Sequence, residues 1–271
     1  MHIARGEMSY IIAVANQKGG VAKTTTAVSL GGALVKNGYQ VLLIDLDPQA
    51  DLTLGMGLTP RLIRGSIADV LLSSSSITSL CRETNIPGLD LIPSNSEMEL
   101  AEQFLPVRKN YEYILRTALA NHLPANTYDT IILDCPPALG AVTYNALNAA
   151  HLLLIPTQPE YFSAHALKNM LHSIRRVRSE GNPALQYRIL ITMQDCRNRI
   201  HRNLSQELRN TFHDGVLDTV IEVDTKLRES SIAGLPITHY ISRTRSATQY
   251  QALAQELTRY AQETVAQPAT A

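Results

Sequence analysis

Cysteine is scarce in this 271-residue chain: Cys81, Cys135 and Cys196 stand far apart, too few and too scattered for a disulfide framework or a zinc site. All three read as reduced and structural, with Cys135 nearest the residues of functional interest. Long apolar runs are missing as well. No stretch reaches the roughly eighteen residues of a membrane-spanning helix, and the opening Met1-His2-Ile3-Ala4-Arg5-Gly6-Glu7-Met8 lacks the apolar centre of a secretory signal, so a cytoplasmic location is expected. Tryptophan is absent and phenylalanine occurs three times, and no series of aromatics is arranged for stacking on bases. Neither sign of charge dominates. The 24 Lys+Arg balance 24 Asp+Glu, which argues against a protein coated with nucleic acid.

The balance hides an asymmetry. Residues 1–160 hold 10 basic and 14 acidic residues, whereas 161–271 hold 14 and 10; within 161–209 nine basic residues face three acidic ones. Such an excess is ordinary for a solvated surface and becomes an electrostatic footprint only if other features point to a polyanion.

Apolar runs alternate with helical patterns from end to end, the pattern of a doubly wound, mostly parallel sheet with helices on both faces. Strands are expected at 10–15, 40–45, 89–93, 130–134, 151–156 and 187–193, with a short one at 220–223. Helices are expected at 24–36, 97–104, 111–122, 141–149, 164–180, 201–212 and 247–264. Ser66 with Asp69 and Ser96 with Glu99 read as capping boxes, and Gly38 and Gly181 as helix stops. One domain over 10–265 is expected, with loose ends at 1–9 and 266–271 and Met8 as a second candidate start.

Directly after the first apolar run comes Asn16-Gln17-Lys18-Gly19-Gly20-Val21-Ala22-Lys23-Thr24-Thr25-Thr26. Glycines let backbone N–H groups converge on an anion, the following helix N-terminus adds positive potential, Lys23 reaches terminal phosphate oxygens, and the Thr24 hydroxyl suits Mg2+. The glycines of the common G-x-x-x-x-G-K-[ST] pattern would fall at Gln17 and Ala22, so the loop departs from it. Alanine at 22 fits if that backbone keeps a negative φ, as at a helix start. Two further apolar strands deliver carboxylates at their C-terminal ends, Asp45 and Asp47 from one and Asp134 from the other. In a parallel sheet such ends face the ligand crevice, so all three should converge on Lys23.

In place of the missing glycines stands a second lysine, Lys18, and this K-G-G-x-x-K-T arrangement resembles the deviant Walker A box of the ParA/MinD family of ATPases. The resemblance extends from Ile11 to about Tyr260 and is nearest to the short ParA/Soj-type partition ATPases, which carry no N-terminal helix-turn-helix domain. It implies a P-loop NTPase fold and a weak, partner-stimulated ATP hydrolase using ATP and Mg2+. Gly19, Gly20, Val21 and Ala22 would form the amide cradle, with Lys23, Thr24 and Thr25 completing the nucleotide site. Asp47 would orient the attacking water, and Thr24, Asp45 and Asp134 would hold Mg2+ or its hydration shell. Lys18 would reach the phosphates held by a second copy, making an ATP-sandwich homodimer. The same resemblance implies non-specific double-stranded DNA as a partner, through Arg197, Lys226 and Arg228, together with a ParB-like or other cargo adaptor, nucleoid association, and positioning of a chromosome, plasmid or other large cargo.

A MinD-like membrane-associated ATPase is the alternative, but no membrane insertion is expected: after Tyr260 the chain reads Ala-Gln-Glu-Thr-Val-Ala and then a neutral Gln-Pro-Ala-Thr-Ala, a poor amphipathic anchor. A nitrogenase-type iron protein would need interface cysteines, and neither Cys81 nor Cys135 suits. A bacterial tyrosine kinase would cluster its C-terminal tyrosines, which here are dispersed. A biosynthetic amidoligase of the same fold would not need Lys18 in trans.

Overall fold

Apolar strands with no polar face can be satisfied only by burial on both sides, and the chain meets that demand with one eight-stranded sheet. A computed structural model describes the backbone of residues 9–124, 126–161 and 163–266; the remainder of the expected N-terminal segment with Met8, and Gln267–Ala271, lie outside the described residues. The strands are β1 (Tyr10–Val14), β2 (Val41–Asp45), β3 (Arg82–Glu83), β4 (Leu89–Ile92), β5 (Thr130–Asp134), β6 (Leu152–Thr157), β7 (Gln186–Gln194) and β8 (Val216–Glu222). Their spatial order is β3-β4-β2-β5-β1-β6-β7-β8. Every pairing is parallel except the short β3 on β4.

Alternate residues of each strand feed two separate cores. Ile11, Ala13, Leu42, Ile44, Ile131, Leu133, Leu153 and Ile155 point into one, while Ile12, Val14, Val41, Leu43, Ile132, Leu152 and Leu154 point into the other. The first face is covered by α3 (Ile67–Ser73), α4 (Met98–Phe104), α5 (Ile114–His122), α6 (Ala141–Ala149), α7 (Ser163–Glu180) and α8 (Arg199–Phe212). On the second lie α1 (Lys23–Lys36), α2 (Asp51–Gly55), α10 (Ile237–Tyr240) and α11 (Arg245–Ala266), with α9 (Thr225–Ile232) leading into α10. Helix α1 runs close to its neighbours because it carries Gly31 and Gly32; a Cβ on Gly32 would lie 2.4 Å from Pro236 Cβ.

The expected strands and principal helices are found with ends moved by a few residues. Three differences have physical causes. β8 begins at Val216 rather than 220 because Asp218 and Thr219 lie on an edge strand, where polar residues face solvent at no cost while Leu217 and Ile221 are buried. Ser66 and Asp69 form the capping box at α3, but Ser96 and Glu99 do not form one: α4 starts at Met98 behind Glu97, whose backbone is already helical. Residues 111–113 form a 3-10 turn ahead of α5. β1 sits between β5 and β6, the strands on either side of the α6 crossover. Its C-terminal end is therefore where connections depart in opposite directions, the place where open α/β sheets bind ligands.

Candidate nucleotide and polyanion sites

The loop leaving β1 is built as an anion cradle. Gly20 has φ 71° and Ala22 φ 66°, ψ 37°, two left-handed residues that flank Val21 and let successive N–H groups turn toward one side. Positions where Cβ atoms would stand on Gly19 and Gly20 are open space. The expectation of a negative φ at Ala22 is overturned: alanine here occupies the region that favours glycine, a strain of roughly 1 kcal/mol that surrounding contacts must hold. Val21 is buried, and its carbonyl accepts a hydrogen bond from the Thr192 hydroxyl at 3.0 Å. α1 then begins at Lys23 with no side-chain cap, leaving its first amides directed at the crevice.

The two lysines are held differently. Lys23 is buried and its ammonium donates to the Lys18 carbonyl at 3.4 Å. Burial lowers its pKa, while the nearby Asp134, Asp47 and Cys135 pull it back up. Lys18 is turned outward, its ammonium paired with Glu160 beyond the end of β6. Asn16 ties the start of the loop to the end of β6, accepting from the Lys18 N–H at 3.0 Å and donating to the Pro156 carbonyl at 2.7 Å.

The three aspartates converge, and the structure separates their circumstances. Asp45 is wholly buried and accepts from the Thr53 N–H (2.8 Å), the Thr53 hydroxyl (2.7 Å) and the Asp47 N–H (3.1 Å). Burial nevertheless pushes its pKa to about 7. Asp134 is equally buried, but neither of its oxygens has a hydrogen-bond partner among the described residues. Burial and the neighbouring Asp45 raise its pKa well above the ordinary carboxylate value, with Thr24 and Lys23 acting weakly in the other direction. Asp47 is partly exposed in a turn, accepting from the Gln49 N–H at 2.9 Å, and its carbonyl accepts from the Ser94 hydroxyl at 2.7 Å.

An orphaned buried carboxylate next to a threonine hydroxyl and an amide cradle fits a hydrated Mg2+ carried on phosphate oxygens. Among the described residues no three His, Cys, Asp or Glu form a cage that would hold a metal without the phosphates. Asp134 and Thr24 are the side chains that would face such an ion, whereas Asp45 is hydrogen-bonded to Asp47 and Thr53. Thr53, Ser94, Thr192 and Glu160 were invisible to sequence reasoning, since each acts through a contact made between different elements of the fold. Only Asn16, inside the loop itself, lay in plain view.

The basic candidates stand on the same sheet edge. Arg197 follows β7 and Lys226 follows β8, neighbouring parallel strands paired at Gln194 and Glu222. The Arg197 side chain is 94 % exposed, with Asp195 at 3.4 Å. Lys226 sits in the first turn of α9 and is bound by Glu229 at 2.7 and 2.9 Å. Arg228, Arg199 and Arg243 are exposed, and Arg245 is paired with Glu222 at 3.0 Å. No helix of the described residues is long and apolar enough to cross a membrane.

A family profile described as an AAA domain matches residues 9–187. The chromosome partitioning protein ParA of Caulobacter vibrioides is 36% identical over 248 residues, covering 91% of this chain and 93% of that protein. The sporulation initiation inhibitor protein Soj of Bacillus subtilis is 38% identical over 251 residues, covering 92% and 98%. Among solved structures, cobyrinic acid a,c-diamide synthase from Mycobacterium smegmatis, with bound ATP analog and magnesium, superposes with a TM-score of 0.82 at 34% identity, covering 93% of this chain and 96% of that one. With Lys18 and Lys23 in one loop and three strand-end aspartates around it, the chain belongs to the ParA/MinD family of P-loop ATPases.

Proposed function

We propose that this chain is a ParA-like positioning ATPase that dimerises around ATP, binds DNA without sequence preference and is switched off by hydrolysis that an adaptor protein stimulates. It hydrolyses ATP with Mg2+, which neutralises phosphate charge when bound. The protein's own residues supply the rest. The loop amides and Lys23 hold the phosphates, the Asp134 carboxylate and the Thr24 hydroxyl face the metal's side, and Asp47 orients the attacking water. The observation that carries the dimer is Lys18: its ammonium leaves its own loop for Glu160 at the surface, so it is available to a second copy once that exposed pair, worth at most about 1 kcal/mol, is exchanged for phosphate.

Two copies bound face to face would double the basic edge beyond β7 and β8, turning a few phosphate contacts into useful affinity. Support for partition of a chromosome, plasmid or other cargo comes from the ParA and Soj relatives. The likeness to a diamide synthase favours a second reading, a small-molecule amidoligase, which has no use for Lys18 in trans. Light scattering with and without ATP separates them. Lys18→Ala is expected to bind ATP within about threefold of wild type yet remain monomeric; a normal ATP-bound dimer in this variant refutes the trans role.

A further inference from the structure

The phosphate loop and the loop bearing Arg197 meet at a single buried hydrogen bond. Thr192 ends the buried part of β7, and its hydroxyl donates to the Val21 carbonyl at 3.0 Å across 171 residues of sequence, with both residues at most 1% exposed. On one side of this bond stands Ala22, left-handed at φ 66°; on the other stands Met193, also left-handed at φ 52°. Neither alanine nor methionine adopts that conformation without a holding contact. The bond joins two left-handed backbone sites, one in the loop that carries the amides of the cradle and the other at the irregularity near the end of β7, which leads within four residues to Arg197.

The segment between them has little slack. The Asp195 N–H donates to His201 Nδ1 at 3.1 Å, and the Arg197 N–H donates to the Asp195 carboxylate at 2.9 Å, a short hydrogen-bonded route from Met193 to Arg197. At the other end, Val21 is pinned by its buried side chain, leaving the Val21–Ala22 peptide plane as the element that can turn. A donor on that carbonyl fixes the plane, and with it the direction of the amides that follow.

We infer that Thr192 is a positioning residue: its hydroxyl holds the Val21–Ala22 peptide in the phosphate-binding orientation and passes the state of that loop to the 193–198 segment that presents Arg197. This rests on the same loop binding ATP, and wild-type binding measured alongside keeps the two apart. Failure of wild type to bind ATP removes both, whereas normal wild-type binding with an indifferent variant removes only the role of Thr192.

The test compares Thr192→Val, which keeps shape and loses the donor, with Thr192→Ser, which keeps the donor. Thr192→Val is expected to raise the KM for ATP by about five- to tenfold, the size of one lost buried hydrogen bond, with a smaller fall in kcat. Thr192→Ser should recover most of the loss, and so should Ala22→Gly placed in the valine background, because glycine needs no holding contact at positive φ. Hydrogen exchange supplies a readout on the wild-type chain alone: ATP should slow exchange within 193–198, and this response should vanish in Thr192→Val. An unchanged KM in Thr192→Val, a serine variant as impaired as the valine one, or a 193–198 segment indifferent to ATP in wild type overturns the assignment.

Discussion

Two groups of charged side chains stand on the same edge of the sheet and are built in opposite ways. Around the phosphate loop, Lys23, Asp45 and Asp134 are buried, close together and shifted from their ordinary pKa values. Around β7 and β8, Arg197, Lys226, Arg228 and Arg245 lie at the surface, and three of them have acidic partners within reach. A buried charge without a partner is costly, so its presence implies a ligand that satisfies it. An exposed charge costs nothing and implies nothing alone. The first group therefore specifies its chemistry residue by residue, whereas the second acquires meaning through its sum and through doubling in a dimer.

The comparison is broken most directly at Asp47, which lies beside that buried group yet is itself partly exposed. Asp47→Ala is expected to lower kcat by about 100-fold or more, the scale of a lost general base, while ATP affinity stays within about threefold and the nucleotide-bound dimer accumulates. Steady-state ATPase assays with light scattering decide it. Lost ATP affinity with intact turnover per bound nucleotide would move Asp47 into the same class as Asp45.

Asp134 tests whether the buried group really awaits a cation. A carboxylate with a raised native pKa holds its proton longer in the folded than in the unfolded chain, so stability of the nucleotide- and metal-free protein falls as pH climbs from about 4, through the region of 7 where Asp45 gives up its proton, and goes on falling until Asp134, also raised by burial and by Asp45, has given up its own. Asp134→Asn should flatten that fall and stabilise the free chain at pH 7.5 by about 1–3 kcal/mol, read by thermal melts. In the same variant the Mg2+ concentration for half-maximal ATPase should rise about tenfold. A variant that melts lower than wild type in the absence of ligand would mean that Asp134 is satisfied by the fold itself.

The fold was readable in the sequence because parallel strands buried on both faces must be apolar along their middles, as residues 11–14, 41–44 and 131–133 are. The site was readable where chemistry is local: lysines and glycines packed into one loop, aspartates at strand ends. What escaped was set by tertiary contact. Ala22 at φ 66° depends on Val21 being clamped from β7, and the split between Asp45 and Asp134 depends on Thr53 and its neighbour Ser94, which bond the turn from other elements. Edge strands obscure their own limits for a related reason, as Asp218 and Thr219 in β8 illustrate.

On the exposed side, single changes should be modest and salt-dependent. With ATP bound, Arg197→Ala and Arg228→Ala should each weaken binding to duplex of any sequence by several-fold, without loss of the dimer. Each should also flatten the plot of log affinity against log salt by about 0.9 per phosphate contact removed. Titrations by anisotropy at several salt concentrations give both quantities. Slopes that do not change in the double variant would place the footprint elsewhere on the surface.

The smallest effect expected is also the sharpest discriminator, because it has the opposite sign. Lys226 is held by Glu229 in a bidentate contact at 2.7 and 2.9 Å on the exposed first turn of α9, so part of its charge is already spent within the protein, and removing it should cost less DNA affinity than removing Arg197. Neutralising the partner instead should release it. Glu229→Gln is expected to strengthen DNA binding about twofold to threefold and to steepen the salt dependence, since an exposed ion pair is worth about 1 kcal/mol or less and the freed ammonium regains its full attraction for phosphate. If Glu229→Gln leaves both affinity and slope unchanged while Arg197→Ala reduces them, the α9 turn lies outside the DNA-facing surface and Lys226 serves only to steady the start of its helix.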